Sequence, residues 1–144
     1  MLAGKVVKQQ QDDFSAALAA LRNDCPALLI NHLDAFIPYN QIPVLFSSAL
    51  AILVPYAGTD SSSGVLGHAA LYKKRVIGTD QGLIGKLIRQ YDLGIAIPPD
   101  NAEKLAGAIS SCINSESGLL VPDGMQRYIQ ERHPDVFAGR LLAD

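Results

Sequence analysis

Four consecutive small residues, Ser61-Ser62-Ser63-Gly64, stand where an apolar run ends and a helical pattern begins. Hydroxyls and a glycine at such a step suit the binding of an anion of phosphate size. A helix start leaves backbone N–H groups without intrahelical partners and carries partial positive charge, so an oxyanion there is held by hydrogen bonds and by the helix field. A plainer purpose competes with this one, because Ser is a common N-cap and Gly a common turn residue. A second step of the same kind follows at Gly78-Thr79-Asp80 and Gly82, whose glycines a tight turn explains equally well. His68 comes one helical turn after Gly64 and can donate to or accept from a hydroxyl, although a partly buried packing histidine is the competing explanation. His32 falls in a strand pattern and reads as structural; His133, beside Pro134, reads as a surface residue. No group of His, Cys, Asp and Glu has metal-ligand spacing, so no protein-bound metal is expected.

The elements that must position these residues follow from periodicity. Residues 1–7 (MLAGKVV), 27–34 (ALLINHLD), 50–55 (LAILVP), 75–78 and 93–97 read as strands. The run at 50–55 is continuous rather than alternating, as in a strand covered on both faces. Helical spacing covers 12–23, with Phe14, Ala17, Leu18 and Leu21 on one face, and 38–48, where Pro43 demands a helix that is short or starts near it. Further helices are expected over 65–72 and 81–91, and from a cap at Asp100 or Asn101 to about 113. The tail, 122–142, reads as two helical pieces parted at Pro134. Strands alternating with helices of this length imply β-α-β units and a parallel sheet. In such sheets ligands sit outside the carboxyl ends of the strands. Tyr56, Thr79 and Asp80 are therefore expected to line one crevice with the serine-rich step.

Composition excludes several classes of function. With 49% hydrophobic and 18% charged residues, the chain of 144 residues is globular and long enough for a core, and it reads as a single domain spanning 1–144. A net charge of -2, with no basic run longer than Lys73-Lys74-Arg75, argues against nucleic acid or an anionic membrane as partner. No apolar run has the length of a transmembrane segment and no signal-peptide pattern opens the chain, which predicts a cytoplasmic location. Cys25 and Cys112 make neither a disulfide framework nor a zinc site, and both are expected as buried thiols. A strand at the first residue suggests a piece of a longer protein. A dinucleotide-binding oxidoreductase is disfavoured, because no G-x-G-x-x-G follows the first strand.

Taken in order, Ala51-Ile-Leu-Val-Pro-Tyr56, Ser63-Gly-Val65, Lys74-Arg-Val-Ile-Gly-Thr-Asp80, Gly82, Leu93-Gly94 and Ile97-Pro-Pro-Asp100 carry a resemblance. From about residue 33 to 113 the chain resembles the C-terminal, nucleotide-sugar-binding domain of a GT-B glycosyltransferase of the retaining "glycosyl transferases group 1" type. The resemblance implies an α/β, three-layer Rossmann-like domain with a parallel sheet of about five strands, one half of a GT-B enzyme. The donor diphosphate would be cradled by Ser61, Ser62, Ser63, Gly64 and Val65. Where the family carries two glutamates eight residues apart, this chain has Asp60 and His68. By position Asp60 would face the donor sugar as the catalytic-site carboxylate, and His68 the ribose. The segment containing Ile37, Pro38 and Tyr39 matches the loop beside the nucleobase.

The implied function is donor binding in an enzyme that transfers a sugar from a nucleotide sugar to an acceptor with retention. The nucleotide sugar is a substrate, and no cofactor is implied. The family's opening strand and helix and its N-terminal acceptor-binding domain are missing here. That domain is the expected partner and the route to any peripheral membrane association, and without it the chain would bind donor and transfer nothing. Two alternatives remain open: a non-catalytic interaction domain derived from such an enzyme, favoured by the Asp60 and His68 replacements, and a GT-B-like sugar-nucleotide epimerase.

Overall fold

A computed structural model describes residues 1–56, 64–114 and 123–132, which form α-helices and parallel strands in alternation. The chain divides into two compact units, Met1–Ile42 and Pro43–Asp144.

In the first unit β1 (Leu2–Ala3) pairs in parallel with β2 (His32–Leu33), Leu2 opposite His32 and Ala3 opposite Leu33. A 3-10 turn (Lys8–Gln10) and α1 (Gln11–Asp24) connect them, with Asp12 and Asp13 complementing the positive start of the helix. Both strands are much shorter than the apolar runs that contain them. Gly4, at φ +136°, swings the chain out of the ladder, and the Val6 N–H then bonds the Asp34 side chain (3.0 Å) instead of a strand. The Phe14 and His32 rings meet at 4.7 Å, so His32 has the structural role expected of it. Cys25 corrects an expectation: it is exposed, on the turn where its N–H closes α1 against the Leu21 carbonyl (3.0 Å). Cys112 is only partly buried. No residue of this unit is fully buried.

A 3-10 turn (Tyr39–Gln41) leads into α2 (Ile42–Ser48). Pro43 is the second residue of α2, within the first turn, where a missing N–H leaves no bond unmade. The remaining elements of the second unit are β3 (Ala51–Val54), α3 (Gly64–Leu71), β4 (Arg75–Thr79), α4 (Gly82–Gln90), β5 (Gly94–Ile97), α5 (Ala102–Asn114) and α6 (Asp123–Glu131). The strands form a parallel sheet in the order β3-β4-β5. The described strands thus stand in two sheets, of two and three strands, where one sheet of about five was expected.

Alternation along β4 shows how the three-stranded sheet is covered. Val76 packs with Val54 of β3 and with Leu66, Ile84, Leu87, Ile88 and Met125 on α3, α4 and α6. Its neighbour Ile77 points to the other face and packs with Ile97 and Ala108, joined by Leu105 and Cys112 of α5. Helices therefore cover both faces, which is why these strands read as continuous apolar runs. Asn101, rather than Asp100, caps α5: its Oδ1 accepts from the Lys104 N–H at 2.8 Å. Among the described residues no helix is long and apolar enough to cross a membrane.

Candidate functional site

Register makes the three strands of the second unit end at one edge. Val54 lies opposite Gly78, and Thr79 opposite Ile97. Two residues past the first of these pairs come Tyr56 and Asp80, and one past the second come Asp80 and Pro98. Each strand is followed by a helix, so the starts of α3, α4 and α5 are delivered to this same edge, the amino ends of the helices being the positive ones.

The turn from β4 to α4 is the best defined of the three. The Asp80 N–H donates to the Ile97 carbonyl (2.8 Å), which ties the turn to the neighbouring strand. Thr79 is buried, 1% exposed, and its hydroxyl oxygen accepts from the Gln81 N–H at 3.1 Å. Its side chain thus holds the turn in shape. Gly82 opens α4 at φ +57°, a left-handed conformation that other residues adopt at a cost. At Gly85 a Cβ would stand 2.2 Å from the Asp80 carbonyl carbon, so the helix can approach the strand end only because that side chain is missing. One turn further, Arg89 Nη1 donates to the Asp80 carbonyl at 3.0 Å. Neither Gly85 nor Arg89 is marked by the sequence patterns above. The signal that could have found them is their spacing of four, which puts both on one face of α4.

The step at α3 is described from Gly64 onward; Asp60, Ser61, Ser62 and Ser63 lie outside the described residues. Gly64 is exposed, and among the described residues nothing comes within 4 Å of where its Cβ would be. Packing among the described residues therefore gives no reason for a glycine there. Val65 is partly buried against the core shared by α3, α4 and α6. His68 is partly buried too. Its ring lies 5.6 Å from that of Phe46 on α2, and Phe46 in turn lies 5.9 Å from Tyr72. The structure thus places the histidine in an aromatic contact between α2 and α3. At Gly78 a Cβ would come 2.6 Å from Ile88 Cδ1, so packing accounts for that glycine.

Tyr56, Thr79 and Asp80 stand at or just past the carboxyl ends of β3 and β4, with Tyr56 41% exposed, Asp80 half-buried and Thr79 buried. Ile37, Pro38 and Tyr39 belong to the first unit, where the Pro38 carbonyl accepts from the Gln41 N–H (2.9 Å) and Tyr39 is largely exposed. Among the described residues no group of His, Cys, Asp and Glu is placed to hold a metal ion. The edge as described offers backbone N–H donors at helix starts, a carboxylate at Asp80 and a guanidinium at Arg89. Donors suit an anion and a carboxylate suits hydroxyl groups, the two chemistries of a sugar phosphate. No protein-family model, curated protein or solved structure matches the chain.

Proposed function

We propose that this chain is the donor-binding part of a glycosyltransferase that uses a nucleotide sugar and retains the anomeric configuration. The observation that carries the reading is the level ending of β3, β4 and β5, which gathers the starts of α3, α4 and α5 at one edge of a parallel sheet. Ligands of open α/β sheets bind there, and helix starts suit phosphate. The resemblance carried by residues 51–100 supplies the finer terms: a three-layer Rossmann-like domain with a sheet of about five strands, the diphosphate at Ser61–Val65, Asp60 toward the sugar and His68 toward the ribose. The room that the described residues leave at Gly64 supports the diphosphate role, since a bound phosphate needs such room. On this reading the leaving diphosphate is stabilised by preorganised N–H groups as its charge develops. Transfer itself requires an acceptor-binding domain, so the chain by itself binds donor without turning it over.

The contact between His68 and Phe46 favours a second reading, a non-catalytic domain derived from such an enzyme, because a ring engaged in packing has less freedom to meet a ribose. Calorimetric titration with UDP, GDP and ADP tests the main reading. Saturable binding of one of them in preference to the others is expected; no binding of any at millimolar concentration would sink it.

A further inference from the structure

We propose that Arg89 supplies the positive charge that holds the diphosphate at the carboxyl edge of the sheet, an inference that rests on the donor-site reading above. By its place in the chain Arg89 belongs to the last turn of α4, at the opposite end of the helix from the strand termini. Packing reverses that placement. Helical side chains lean toward the amino end of their helix. Because Gly85 presents no side chain, the Asp80 peptide sits against the helix one turn below Arg89, and the guanidinium reaches it, bonding the Asp80 carbonyl at 3.0 Å.

Charge balance makes this cation matter. The described turns of the edge, residues 55–56, 80–81 and 98–101, carry two charged side chains, Asp80 and Asp100, both acidic. A diphosphate approaching those carboxylates alone would be repelled. Lys104, in the first turn of α5, belongs to the helix on the other face of the sheet, whereas α3 and α4 share a face. Helix α4 carries two cations, Lys86 and Arg89, and Arg89 is the one seen bonded to the β4–α4 turn, on the face of the sheet shared with α3. Its bond to Asp80 uses a single N–H of five and anchors the group at the turn. The remaining donors, on an exposed side chain, form the fork that suits phosphate oxygens.

The test is calorimetric titration of the full chain and its Arg89→Gln and Arg89→Lys variants, at low and high salt. The probes are UDP, GDP, ADP, the corresponding nucleosides and inorganic pyrophosphate. Arg89→Gln is expected to weaken the preferred nucleoside diphosphate and pyrophosphate about tenfold or more, leave nucleoside binding unchanged, and flatten the salt dependence. Arg89→Lys, which keeps the charge and loses the fork, should fall between the two, and it carries the test if the glutamine variant does not fold. Equal diphosphate affinity in wild type and variants overturns the role of Arg89 and leaves the donor-site reading standing. Pyrophosphate binding that depends on Arg89, without preference among nucleotides, upholds Arg89 and overturns the donor-site reading. Failure of the wild type to bind any diphosphate or pyrophosphate overturns both.

Discussion

Two glycines that look alike in the sequence differ in what holds them. Among the described residues nothing comes within 4 Å of a Cβ on Gly64, whereas a Cβ on Gly85 would lie 2.2 Å from the Asp80 backbone. Gly64→Ala should therefore leave the fold intact and raise stability by about 0.5–1 kcal/mol, through the reduced entropy of the unfolded chain. Gly85→Ala should lower stability by about 1–3 kcal/mol or more, because helix and strand end must separate. Thermal melts of the two variants check the contrast, and equal shifts would contradict it. On the donor-site reading the ranking for binding differs: Gly64→Ala, though stable, weakens nucleoside diphosphate binding by crowding the phosphates. At this scale the sequence showed which residues could do chemistry, but not which of them were committed to packing. Thr79 turned out to hold its own turn, and His68 to meet Phe46. The partner of His68 is remote in sequence, whereas Thr79 bonds a neighbouring N–H and is committed by its burial.

Among the elements, the joint between α4 and α6 has a pH dependence of its own. The Tyr91 hydroxyl donates to the Glu131 carboxylate, and the Tyr91 ring packs edge-on to Tyr128 at 5.1 Å with the Arg127 guanidinium 5.2 Å above it. The bond to Glu131, helped by burial, raises the Tyr91 pKa above the ordinary tyrosine value, while Arg127 and Arg132 pull it the other way. A raised folded-state pKa means that the folded protein holds this proton more tightly than the unfolded chain does. The stabilisation is complete below about pH 10, the unfolded value, and is lost as the pH rises through the folded one. Urea unfolding between pH 8 and pH 11 should therefore show stability falling on the alkaline side, with a shallower fall in Tyr91→Phe. An identical alkaline slope in the variant would remove Tyr91 as its source. Helices α3, α4 and α5 were legible in the sequence to within a residue or two because each buries apolar side chains, whereas α2, with no buried residue, begins at Ile42 rather than at 38. The paired lengths of β1 and β2 were not, since a strand ends where its partner does, and Gly4 withdraws β1 after two residues.

For the whole molecule, the distribution of the core leads to a further expectation. Every buried hydrophobic residue, from Val54 to Tyr128, lies in the Pro43–Asp144 unit, whereas Met1–Ile42 has none. Folding is driven mainly by apolar burial, and a segment of this size without a core does not offset its conformational entropy. A fragment of residues 43–144 should unfold in one cooperative thermal transition, while a peptide of residues 1–42 should show none. Cooperative melting of the short peptide, or a molten fragment of 43–144, would contradict this distribution of stability. A further comparison is available in the same preparation, since the Arg89 and Gly64 effects on binding should persist in the longer fragment if the site lies within that unit.

Sequence alone determined the α/β class, the parallel direction of the strands and most helix positions. These follow from local periodicity, from turn residues and from the fact that helical crossovers join parallel strands. It also marked the strand-to-helix steps, because serine, glycine and aspartate have short-range preferences for such turns. Tertiary structure decided what lies across the gap between distant residues. It divided the strands into two sheets, set three strand ends level at one edge, and brought Arg89 from the far end of α4 to the peptide of Asp80. The reason is physical: periodicity records which face of an element is buried, whereas partner, register and reach depend on contacts between residues that the chain keeps far apart.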